Sequence, residues 1–200
     1  MASLEPDICV VFDFDGTLTV PGGIDFLAMR AAIGCPPEGA LLEFIATLPE
    51  PARSQANAKL AALGLEFARA ARPNAHAEAV VCELRKRGVP MAIVSRNCRA
   101  AVFAAFPCFS HIVPEYFAII LGRDDDFPPK PAPDALLHIA DTLGLRPGQL
   151  WMVGDYCFDI EAGHNAGART VYLTNGDKPR WSADYVIQDL SELLALLLPS

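Results

Sequence analysis

The chain alternates short apolar runs with longer amphipathic stretches. Four runs are almost uninterrupted: "ICVVF" at 8–12, "VPMAIVS" at 89–95, "LWMVG" at 150–154 and "TVYL" at 170–173. Without a polar residue at every second position, such runs predict parallel strands covered on both faces. A fifth run, "YFAIIL" at 116–121, falls between the second and third, and "YVIQ" at 185–188 reads as an edge strand. Helical patterns separate them. "AHAEAVVCELRKRG" closes on Gly88 and "APDALLHIADTLG" on Gly144, each glycine well suited to end a helix. The apolar tail "LSELLALLLPS" is too short to span a bilayer and reads as a last amphipathic helix. Strand–helix alternation of this kind predicts an α/β fold, a doubly wound, Rossmann-like parallel sheet.

One interval breaks the rhythm. Residues 18–72 contain "DFLAMRAAIG", "EGALLEFIATL" and "ARSQANAKLAALGLEFARAA", three helical patterns separated by Gly and Pro, and no convincing strand. That is more chain than a crossover helix needs. The expectation is a small helical subdomain over 18–72, inserted directly after the first strand of a core formed by 1–17 and 73–200. Its five basic residues (Arg30, Arg53, Lys59, Arg69, Arg72) balance five acidic ones (Asp25, Glu38, Glu43, Glu50, Glu66), so the acidic excess belongs to the core.

Composition narrows the function. Of 200 residues, 52% are hydrophobic and 20% charged, which supports a packed core and argues against disorder. A formal charge of −8, with no basic run longer than "RKR", argues against a nucleic-acid partner but leaves small phosphorylated metabolites open. The six cysteines have no metal-ligand spacing and read as reduced residues. "MASLEPDI" has no basic start followed by an apolar segment. The expectation is a cytoplasmic protein without a membrane partner, a monomer or weak homodimer.

The strand ends hold the candidate chemistry. In open parallel sheets, ligands bind beyond the carboxyl ends of the strands. The first strand ends in "DFDGT" with Asp13 and Asp15, the second in Ser95, Arg96 and Asn97, and the fourth leads into Asp155 and Asp159, while "PPKPAPD" brings Lys130 to the start of a helix. Singly, these residues read as turns, caps or a solvated lysine. Two carboxylates one residue apart at the end of a buried strand repel each other and require another explanation. Phosphoryl transfer supplies one. Asp13, Asp155 and a backbone carbonyl form an all-oxygen set matched to Mg²⁺. A carboxylate can act as nucleophile, a second can exchange a proton with the leaving group and then with water, and Ser95, Asn97 and Lys130 can hold phosphoryl oxygens.

With "DFDGT", the serine of "IVSRN", the lysine of "PPKPAPD" and "GDYCFDIEAGHNAGA" in this order, the chain resembles the haloacid dehalogenase-like (HAD) hydrolase superfamily over about residues 8–176. The resemblance implies Asp13 as nucleophile and metal ligand. It makes Asp15 the general acid/base, with its backbone carbonyl also on the metal. Asp155 would be a direct ligand of Mg²⁺, with Asp159 alongside. Ser95, Arg96, Asn97, Lys130 and the Gly16–Thr17 turn are the candidates to bind the substrate phosphate. The insert resembles the helical cap of the phosphoglycolate phosphatase-like branch. The implied activity is Mg²⁺-dependent hydrolysis of small phosphate monoesters through an aspartyl-phosphate. The alternatives are a phosphomutase or phosphotransferase acting on a phosphorylated sugar, a phospho-accepting signalling domain and a silent binding module. Asp15 stands where the dehalogenases themselves lack a carboxylate, which argues against carbon–halogen hydrolysis. Arg96 stands where many members carry a small residue; it is expected to pair with a cap or core carboxylate, the alternative being a second anionic group on the substrate. The aspartates of "GRDDDF" are expected to be solvated and His164 to face outward.

Overall fold

Residues 8–197 are described in a computed structural model of the protein. The opening segment read above as carrying no secretion signal, apart from Ile8, and the last three residues of the final helical run lie outside them. Six strands form one sheet: β1 (Cys9–Phe12), β2 (Met91–Val94), β3 (Ile119–Leu121), β4 (Leu150–Gly154), β5 (Arg169–Leu173) and β6 (Tyr185–Ile187). Their order is β3-β2-β1-β4-β5-β6, with every pairing parallel. β1 is central, Val11 lying opposite Ala92 on one side and Met152 on the other.

The unbroken apolar character of β1 follows from this position. Val10 and Phe12 face a core built with α4 (Ala77–Lys86), α5 (Arg99–Ala105) and α8 (Ser191–Leu197). Cys9 and Val11 face a second core built with α6 (Asp134–Thr142) and α7 (Cys157–Ala166). All four side chains are fully buried. Strand alternation sends successive residues to opposite faces, so a strand covered on both must be apolar throughout. Each buried aliphatic or aromatic side chain of this kind stabilises the fold by about 1.5–3 kcal/mol.

The expected elements form, with local differences. β3 keeps only the end of "YFAIIL", because Pro114–Tyr116 turn as a 3-10 helix before it. α4 starts at Ala77, since His76 has φ 60° and cannot continue a helix backwards. α5 carries no local signature: its first-turn amide, Arg99 N, donates to Asp124 Oδ1 at 2.6 Å from a distant loop. The aspartates of "GRDDDF" thus do local work, since Asp125 Oδ2 also accepts from Gly122 N at 2.8 Å.

Between β1 and α4 stand α1 (Phe26–Ile33), α2 (Leu41–Thr47) and α3 (Ala52–Arg69). Asp25 caps α1 by accepting from Ala28 N at 2.8 Å, and Gly34 ends it in the left-handed region. Met29, Ile45, Ala56 and Leu60 form a small core of their own. The other side of α3, with Ala61, Leu65 and Ala68, packs on the main core. The chain leaves for these helices and returns from them side by side, with Thr19 bridged to Pro73 and Val20 N donating to Arg72 O at 2.9 Å. Among the described residues, no helix is long and apolar enough to cross a membrane.

Candidate active site

The site is built on the end of β1. Asp13 N donates to Val153 O at 2.8 Å, which prolongs the sheet by one residue and holds the Asp13 side chain over the strand ends. Lys130, buried to 2% exposure, lies between two carboxylates: Nζ is 2.6 Å from Asp13 Oδ1 and 2.7 Å from Asp159 Oδ1. This burial rules out a solvated loop lysine. Asp159 is fixed in turn by Tyr156 N, which donates to Oδ2 at 3.0 Å. Gly154 makes room for it, because a Cβ there would stand 2.3 Å from the Asp159 side chain.

Asp15 points to another set of partners. Its Oδ2 accepts from Ser95 Oγ at 3.5 Å and Asn97 Nδ2 at 3.4 Å, while Asn97 N donates to Ser95 Oγ at 2.9 Å. Gly16 has φ +93°, and a Cβ on it would lie 2.3 Å from Asp155 Oδ2. Glycine is required there both for the turn and for the approach of Asp155. Thr17 is fully buried, and its Oγ1 donates to Asp155 Oδ1 at 3.5 Å.

Two asparagines not singled out in the sequence hold this loop. Asn175 Nδ2 donates to Gly16 O at 3.0 Å, Asn74 Nδ2 to Thr17 O at 2.9 Å, and the two side chains meet at 2.9 Å. Asn175 is one of two non-glycine residues with positive φ among those described. Neither residue lies next to a recognised motif, and only their distance from it in the chain conceals them.

Electrostatics follow from crowding. Four carboxylates (Asp13, Asp15, Asp155 and Asp159) share one buried cation, Lys130. Burial raises Asp13 well above the usual carboxylate range; Lys130 opposes this, and the neighbouring carboxylates add to it. Burial pushes Asp15 up to about 6, against the hydrogen bond from Asn97. Asp155 is pushed up to about 7 by burial and then by repulsion from Asp159. Burial opposes the charge on Lys130, but Asp13 and Asp159 outweigh it and hold its pKa above the ordinary lysine value. Asp13, Asp155 and Asp159 each offer a carboxylate oxygen, and these atoms lie within 4.8 Å of one another. An all-oxygen, net-negative set of this kind fits a hard divalent cation such as Mg²⁺. The Asp15 carboxylate stands outside that trio.

Arg96 does not turn toward the carboxylates. Its Nη2 donates to both oxygens of Glu43 on α2 at 2.8 Å, Nη1 donates to the Lys130 carbonyl, and its plane lies over the Phe158 ring at 3.9 Å. It therefore ties the inserted helices to the sheet. A second tie lies nearby, where a Cβ on Gly64 of α3 would meet Asn97 Oδ1 at 2.5 Å. Between the two parts lies a cavity of about 300 Å³ that reaches Asp13, Asp15 and Asp155. His164 is exposed, on the far part of α7, and all six cysteines are free.

A family model described as haloacid dehalogenase-like hydrolase matches residues 9–167. The chain is 35% identical over 196 residues to an uncharacterized hydrolase of Saccharomyces cerevisiae, covering 94% of this chain and 89% of that one. It is 33% identical over 122 residues to phosphoglycolate phosphatase of Escherichia coli, a stretch that is 58% of this chain but 48% of that enzyme. Among solved structures, a hydrolase from Pseudomonas syringae superposes with a TM-score of 0.79 at 20% identity, covering 95% of this chain and 97% of its own. A haloacid dehalogenase-like hydrolase from Streptococcus pneumoniae gives 0.73 at 21%, covering 96% and 99%. At these identities the likeness concerns the fold.

Proposed function

The chain belongs to the haloacid dehalogenase-like hydrolases, and on that premise we propose that it is a Mg²⁺-dependent phosphatase of small phosphate monoesters. Asp13 is the nucleophile, Asp15 the general acid and base, and residues 18–72 are a cap over the site. The observation that carries this reading is the division of labour between two aspartates one residue apart. Lys130 grips Asp13 at 2.6 Å, whereas Ser95 and Asn97 hold Asp15 beyond the reach of that lysine's hydrogen bonds. Burial lifts Asp15 to about 6, so near neutral pH it can hold and release a proton.

The steps follow from these positions. An Asp13 carboxylate oxygen attacks phosphorus, and the bond to the ester oxygen breaks. Asp15 gives its proton to the departing alkoxide. Water then attacks the phosphorus of the aspartyl-phosphate while Asp15 takes its proton. The bond to Asp13 breaks, releasing phosphate and restoring the carboxylate. Lys130 offsets charge at Asp13 and the phosphoryl oxygens, and Ser95 with the amides after it offers donors to the same group. Asp13 and Asp155, with the Asp15 carbonyl and with Asp159 alongside, would hold the cation, which supplies charge neutralisation and polarises a phosphoryl oxygen.

The test is phosphate release from p-nitrophenyl phosphate and a panel of small metabolite phosphates, with Mg²⁺ and with EDTA. Mg²⁺-dependent release is expected, and Asp13→Asn should abolish it while leaving the circular dichroism spectrum unchanged. Turnover surviving in Asp13→Asn would overturn the assignment of the nucleophile. Transfer of the phosphoryl group to a sugar without net phosphate release would instead identify a mutase.

A further inference from the structure

We propose that the alcohol released at this site is bulky and largely apolar, and that Glu43 keeps Arg96 from receiving an anionic group on it. The inference rests on the phosphatase reading and names its substrate class.

Beyond the carboxylates, the cavity of about 300 Å³ is walled mainly by Phe26, Met29, Leu41, Leu60, Tyr156 and Phe158. This is far more room than a two-carbon acid fills, and its surface rewards apolar groups. A substrate carboxylate would need a free pair of donors, which a guanidinium supplies best. Three guanidinium groups reach the wall, and of these Arg96 is the one paired with a carboxylate and bonded through both terminal nitrogens. Arg96 is the nearest in sequence to the phosphate-binding serine, yet Glu43 neutralises it with both oxygens at 2.8 Å. Its other terminal nitrogen is spent on the Lys130 carbonyl, and Phe158 covers its face. Arg123 directs Nη1 to Asn57 Oδ1 at 3.2 Å and Nη2 to Asn57 O at 3.4 Å. Arg30 donates Nε to Gly39 O at 2.8 Å, and Glu38 shares its wall. A carboxylate close to the phosphoryl group would therefore meet Arg96 already neutralised, in a space that rewards apolar groups.

The experiment compares three monoesters of similar intrinsic reactivity: benzyl phosphate, ethyl phosphate and 2-phosphoglycolate, each with Mg²⁺. The kcat/KM for benzyl phosphate should exceed that for ethyl phosphate by about tenfold, and that for phosphoglycolate by more. Glu43→Gln releases Arg96 and should raise the phosphoglycolate-to-benzyl ratio about tenfold. Tyr156 is half exposed, so Tyr156→Ala should fold; it should lower the benzyl-to-ethyl ratio by roughly fivefold. A preference of the unaltered protein for phosphoglycolate, or a ratio that Glu43→Gln leaves in place, would overturn the inference while sparing the phosphatase. Release of phosphate from none of the three would overturn the phosphatase reading itself, and this inference with it.

Discussion

The side chains of Asp13 and Asp15 differ in their neighbours more than in their chemistry. Asp13 shares a buried lysine with Asp159, whereas Asp15 is surrounded by a hydroxyl and an amide. Replacing Asp15 by Asn keeps the amide-sized shape but removes the proton that leaves and returns. We expect kcat to fall by ~10²–10⁴-fold with a smaller change in KM; a rate within a few-fold of the original would dismiss Asp15 from that role. These residues were legible in the sequence because they stand at strand ends, where a buried apolar run makes a carboxylate conspicuous. Asn74 and Asn175 were not. Each is one of five asparagines in the chain, and what makes them matter is a meeting at 2.9 Å across 101 positions of chain. Glu43 is similar: the sequence suggested that Arg96 pairs with a carboxylate, but not which one.

Helix α3 belongs to two packings at once, with Leu60 in the small core of the insert and Ala68 in the main one. Its Gly64 is a poor helix former placed where the helix backbone meets Asn97. Gly64→Ala should gain up to about 1 kcal/mol of helix propensity. The same methyl would push Asn97 away from Asp15, so kcat should fall about tenfold with the melting temperature little changed. Full activity in this variant would show that Asn97 has no part in placing Asp15. Periodicity announced α3 but not its double allegiance, because a helix that is part polar and part small on every side has no single apolar stripe to assign. α5 was missed for a related reason, since its first amide is capped by Asp124 from a loop more than twenty residues further along.

For the molecule as a whole, the crowded carboxylates set how stability responds to pH and metal. In EDTA-treated protein, the folded state holds protons on Asp15 and Asp155 more tightly than the unfolded chain does. Their values rise from 3.8 to about 6 and about 7. This contribution is complete below pH 3.8 and is lost as pH rises through the folded values, so the melting temperature should fall between about pH 4 and 7 in so far as these groups govern it. Mg²⁺ should restore it at pH 8 and do little at pH 5, where protons already neutralise part of the cluster. A melting temperature indifferent to Mg²⁺ at both pH values would argue against the cation site. The architecture itself was open to a reader of the sequence, because doubly covered strands are apolar throughout. The cavity between the inserted helices and the sheet was not, since it depends on the angle at which layers distant in the sequence meet.

The central place of β1 also bears on how the protein is made. Val11 needs Ala92 on one side and Met152 on the other. A ribosome delivers this strand about 140 residues before its second neighbour. Until then, an almost wholly apolar segment with an open edge travels with the nascent chain, a form prone to wrong pairing. The helices between β1 and β2 emerge in the meantime, and α3, through Ala61, Leu65 and Ala68, is the first element able to shelter the early core. The inserted helices thus have an earlier role open to them, as a companion to the strand that carries Asp13 while the rest of the sheet is still being translated.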